Sequence, residues 1–77
     1  MSIIRLKYER LRRSLSQSAL GIAARVDASA ISQMEIGHYD AGPRVLRRLA
    51  AVLHVPADEL LKPVAIAKPE MRAEVRR

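Results

Sequence analysis

"LSQSALGIAARVDASAISQMEIG", residues 15–37, decides the fold, because the ends of two short helices can be read inside it. Ser16 can accept a backbone N–H as the cap of a helix running to about Arg25, with Leu20, Ala23 and Ala24 as its inner edge. Gly21 in its middle costs about 1 kcal/mol relative to alanine, so it needs a steric reason, and close approach by another helix is the expected one. Asp27 can cap a further helix from Ala28 to about Ile36, and Gly37 stops it. Ile31 and Met34, with Ala30, fall toward one side of that helix. Ala28, Ser29, Ser32, Gln33 and Ile36 fall elsewhere and make a short, mildly polar outer face.

Upstream, Ile4, Tyr8, Leu11 and Leu15 recur at helical spacing while Arg5, Lys7, Glu9, Arg12 and Arg13 occupy other faces, with Leu6 and Arg10 at the border. This pattern predicts an amphipathic helix over residues 3–14. Downstream, "HYDAGP" (38–43) is turn chemistry, and Pro43 suits the first position of a helix that ends near His54. Val45, Leu46, Leu49, Ala50 and Leu53 form its apolar stripe, opposite Arg44, Arg47 and Arg48. Residues 56–62, with acids in the first turn, Lys62 in the last and Pro63 beyond, read as a short fifth helix. The expected body is therefore an all-α domain of five helices over residues 1–62, with almost no β structure. Residues 63–77 follow as an arm or disordered tail that can contribute to dimerisation.

Seventy-seven residues support one modest core, and the 3% aromatic content means that aliphatic side chains must fill it. With no Cys and only two His, His38 and His54, neither a disulfide nor a metal site is expected. An enzyme is a poor reading, because no His and carboxylate groups cluster and no Gly-rich phosphate loop is present, and no cofactor is expected. The net charge is +6, and 11 of the 14 basic residues are Arg, whose planar fork suits phosphate, so an anionic partner is expected. No apolar run approaches a membrane span or a secretory signal, which places the chain in the cytoplasm.

From Leu6 to Leu61 the order of elements and the residues together resemble the lambda-repressor-like (Cro/repressor, XRE-type) helix-turn-helix domains. The resemblance is carried by Ser16-Gln17, Leu20, the small residue at 21, Val26, Ile31-Ser32, Glu35 and Gly37, and then by "VLRRLAAVLHVPADELL" (45–61). It implies that the helix starting at Ala28 lies in the DNA major groove. On that basis Gln17 anchors a phosphate and braces the recognition helix, while Ser29 and Gln33 face base edges. Ala28 is matched to a thymine methyl and Ser32 to a phosphate. His38, Tyr39 and Arg44 lie where such domains grip the DNA backbone, and Arg10 and Glu35 lie where they place an ion pair. The chain departs from the usual pattern at Glu9, Ala24, Arg25, Asp27, Ala28 and Ala41.

The reading is a sequence-specific double-stranded DNA-binding transcriptional regulator, a repressor rather than an activator, bound as a homodimer to a pseudo-palindromic operator on a bacterial or phage nucleoid. One short helix touches too few base pairs for useful selectivity, hence the dimer. Leu60 and Leu61, followed by Val64-Ala65-Ile66-Ala67, add more aliphatic surface than five short helices can cover, so Leu60, Leu61, Val64 and Ile66 are the expected interface. The alternative is an antitoxin-type interaction module that also regulates its own promoter, with residues 64–67 docking on a protein partner such as a toxin or the transcription machinery.

Overall fold

A computed structural model describes residues 2–39 and 41–65. The elements are β1 (Ser2–Ile4), α1 (Arg5–Arg12), α2 (Gln17–Ala24), α3 (Ala28–Glu35), α4 (Pro43–Leu53), one 3₁₀ turn (Ala57–Glu59) and β2 (Pro63–Ala65). Four helices surround one core of Leu6, Leu20, Ala24, Ile31, Met34, Leu49, Ala50, Leu53 and Leu60. Val45 and Leu46 of α4 pack partly against it, while Arg44, Arg47 and Arg48 stay exposed, as that helix's period requires.

The expected fifth helix is only the 3₁₀ turn. Pro56 and Pro63 bracket too few residues for a cooperative helix. The backbone carbonyls of this segment also have another use: Leu60 and Lys62 accept the N–H groups of Leu6 (2.9 Å) and Arg5 (2.8 Å). Those are unsatisfied donors at the start of α1, which has no side-chain cap. The C-terminal segment thus caps the first helix.

The same closure corrects two further expectations. Residues 2–4 are not the start of a helix, because they pair antiparallel with residues 63–65 in the register Ser2 to Ala65, Ile3 to Val64 and Ile4 to Pro63. The body is therefore not purely helical and extends past residue 62 to at least Ala65. With α1 beginning at Arg5, its inner line is Leu6, Glu9 and Arg10, whereas Leu11 is 52% exposed. Ile4 and Leu15 do pack on the core, from just outside the helix. On α2 the inner line is Leu20, Gly21 and Ala24, and Ala23 is exposed.

Gly21 has its steric reason. A Cβ there would lie 2.5 Å from the Val26 carbonyl oxygen and 3.4 Å from the Ala28 nitrogen, so the turn and the start of α3 occupy the space of a side chain.

Each of the four helices is followed within two residues by one with positive φ, and glycine supplies only one of these, Gly37. The others are Ser14 (φ 54°), Arg25 (φ 59°) and His54 (φ 59°). At Arg25 the two hydrogen bonds of a Schellman ending are present, Val26 N–H to Gly21 O (2.9 Å) and Arg25 N–H to Ile22 O (3.4 Å). Ending α2 this way aims the chain into α3. A left-handed arginine costs on the order of 1 kcal/mol. Arg25→Gly is therefore expected to raise stability by about 1 kcal/mol, seen as a higher urea midpoint. A midpoint unchanged or lowered would show that the Arg25 side chain contributes more than its backbone costs.

Candidate nucleic-acid interface

α2, its left-handed turn and α3 form a helix-turn-helix whose caps follow directly from the sequence. Ser16 Oγ accepts the Ala19 N–H at 2.9 Å. Asp27 Oδ1 accepts the Ser29 N–H at 3.4 Å, and its Oδ2 accepts the Ser29 hydroxyl at 2.9 Å. α3 turns Ile31 and Met34 into the core and leaves Ser29, Gln33 and Ile36 exposed, with Ala28 and Ser32 half-buried. This is the partition a 3.6-residue period demands.

Beneath α3 lies a polar network that ties it to the two preceding helices. Arg10 Nε donates to Glu35 Oε2 (2.7 Å) and Arg10 Nη2 to Oε1 (3.0 Å), a bidentate pair. The remaining guanidinium nitrogen, Nη1, donates to the Leu15 carbonyl at 2.8 Å. Gln17 Nε2 donates to Glu35 Oε1 at 3.0 Å. The Glu35 side chain is only 3% exposed, so its charge is met by donors from both α1 and α2. Gln17 thereby braces α3, while its backbone N–H, in the first turn of α2, has no intrahelical acceptor.

His38 and Tyr39 are exposed in the segment after α3, and Arg44 is exposed in the first turn of α4. Arg48 Nη1 donates to the Arg25 carbonyl (3.4 Å), which joins α4 to the turn of the motif. The outer side chains of α3 are thus short and neutral, and Arg44, Arg47 and Arg48 are exposed on α4.

The dimer surface expected from the sequence needs correction. Leu60 is fully buried in the core of its own chain and presents nothing to a second subunit. The linear sequence shows an apolar pair at 60–61 but not that its first member joins the core with Leu6, Leu49 and Leu53. Leu61 and Val64 are half-buried, and Ile66 lies outside the described residues. Val64 and Ala65, which the alternative reading used as a docking segment, are paired with β1.

Glu9, read from the sequence as an outer residue, has a side chain only 4% exposed. Arg5 Nε donates to it at 2.7 Å, Arg13 Nη1 also bonds to it, and Arg12 Nε stands 3.6 Å away. Burial pushes its carboxyl pKa up, but the hydrogen bonds from Arg5 and Arg13 and the Arg12 charge outweigh burial and hold it below its ordinary value of 4.5. The arginines at i−4, i+3 and i+4 were the available signal. A carboxyl with a lowered folded-state pKa stabilises the fold above its ordinary pKa, and that contribution is lost as pH falls through the folded-state value. Acidification below pH 4.5 is therefore expected to lower the urea midpoint of the wild-type chain more steeply than that of Glu9→Gln. Parallel acid slopes would remove Glu9 from the acid response.

Among the described residues no three His, Asp or Glu side chains gather as metal ligands, and no helix is long and apolar enough to cross a membrane. A comparison with curated proteins finds no match. A family model described as a helix-turn-helix domain matches residues 4–62. That match takes in all four helices, the 3₁₀ turn and the braced α2–turn–α3 unit, and it agrees with the lambda-repressor-like resemblance: the chain belongs to the helix-turn-helix domain family.

Proposed function

We propose that this protein is a sequence-specific double-stranded DNA-binding transcriptional regulator that acts by binding rather than catalysis, as a repressor homodimer on a pseudo-palindromic operator. The observation that carries the reading is the outer face of α3: neutral, hydrogen-bond-competent and exposed, on a helix whose inner face and Glu35 are locked to the body. Base edges are read by such short groups while cations at the margin hold phosphates. Gln17, through its first-turn N–H, and Arg44, with His38 and Tyr39 nearby, are assigned the phosphate contacts. Ser29 and Gln33 are assigned the bases, with Ala28 and Ser32 beside them. The second subunit is proposed to meet the first through Leu61, Val64 and the chain beyond, setting two recognition helices roughly 34–36 Å apart on inverted half-sites. The proposed location is the cytoplasm, on the nucleoid.

Selection of bound sites from random duplex DNA, followed by affinity measurements on the winner, tests this. Gln33→Ala and Ser29→Ala are each expected to weaken the preferred site by about 1–3 kcal/mol with little change on random DNA. Arg44→Ala is expected to weaken both and to lower the salt slope by about one. Equal losses on both DNAs for the first two variants, or an unchanged slope for the third, would overturn these assignments.

A further inference from the structure

Ala28, Ser29, Ser32, Gln33 and Ile36 follow one another at helical spacing opposite Ile31 and Met34, and Ile36, 59% exposed, stands at the C-terminal end of α3. None of the five is charged. Glu35 is turned inward onto Arg10, and Asp27, at the N-cap, directs its carboxylate to Ser29.

Each base presents a different edge in the major groove. Guanine offers two acceptors and is matched by Arg or Lys, and the cytosine amino group is matched by Asp or Glu. Adenine, with a donor beside an acceptor, is matched by Gln, and the thymine methyl by an apolar side chain. The α3 face has the last two matches and lacks the first two. The Ser29 hydroxyl proton already goes to Asp27 Oδ2 at 2.9 Å, so toward a base it offers lone pairs, which suit an amino donor, on adenine or cytosine, and not the guanine acceptors.

We infer that α3 reads A·T base pairs, with Gln33 on adenine, Ile36 seated on a thymine C5-methyl, and Ala28 as a second, smaller methyl contact. This rests on the DNA-binding reading above and narrows it to a base composition. An exposed isoleucine among polar neighbours gains from contact only where it meets another apolar group. In the major groove a base pair offers that group as the thymine methyl.

The test uses the full chain. Sites are selected from random duplex DNA, each thymine of the winner is replaced singly by deoxyuridine, and binding of wild type and Ile36→Ala is followed by fluorescence anisotropy. A·T pairs are expected under α3. Wild type should lose about fourfold in affinity at one thymine of each half-site, the equivalent of about 0.8 kcal/mol for one methyl-sized contact. Ile36→Ala, with unchanged thermal unfolding, should be insensitive to deoxyuridine at that same thymine. A selected core of G·C pairs, a flat deoxyuridine scan, or equal sensitivity in Ile36→Ala overturns the inference and leaves DNA binding standing. Failure to bind any duplex at low salt overturns the DNA-binding reading, and this inference with it.

Discussion

Glu35→Ala is expected to cost about 3–5 kcal/mol, a large share of the stability of a domain of this size, because it strands a buried guanidinium. Arg10 is 10% exposed at its side chain and directs two of its three nitrogens to the Glu35 carboxylate. Removing the acceptor also leaves Gln17 Nε2 without its partner. Arg10→Met, which leaves the Glu35 carboxylate buried with only the Gln17 amide, should cost a similar amount, and Arg10→Met with Glu35→Leu should recover part of the loss. Urea denaturation of Arg10→Met, Glu35→Leu and the double variant yields the coupling energy. Additive losses of less than about 1 kcal/mol, the scale of exposed pairs, would show that the network contributes no more than a surface ion pair.

Leu60→Ala should lower stability by about 2–5 kcal/mol, the range for a leucine removed from a closed core. Leu60 is fully buried, and its carbonyl holds the Leu6 N–H, so collapse around the cavity would disturb the start of α1 as well. The loss should be the same at protein concentrations a hundredfold apart, because the contact lies within one chain. A loss that grows on dilution would instead place Leu60 at a subunit interface.

Much of the helix-turn-helix was legible because its signals are local. Ser16 and Asp27 cap the helices they precede, Gly37 ends α3, and Pro43 opens α4, each acting on backbone within a few residues. The inner and outer faces of α3 and α4 follow from a period that depends on neighbours one turn away. Arg10 and Glu35 meet where the resemblance to lambda-repressor-like domains places an ion pair; no spacing in the sequence alone would have joined residues from two different helices.

Ser16, Asp27, Gly37 and Pro43, with the period of Ile31 and Met34, were thus enough by themselves to determine the motif and the outer face of α3. Only the tertiary structure decided what depends on residues far apart in the chain. Ser2–Ile4 became a strand because Pro63–Ala65 lies beside it, and residues 56–62 stopped at one 3₁₀ turn while two of their carbonyls capped α1. Leu60 went to the core rather than to a partner, and Glu9 sank among arginines on a face that looked solvated. Arg25 ends α2 where glycine is usual, because the surrounding contacts hold a conformation its own side chain disfavours. Capping and periodicity act over one turn of helix, whereas strand pairing, burial and tolerated strain are set by the packing of several elements together.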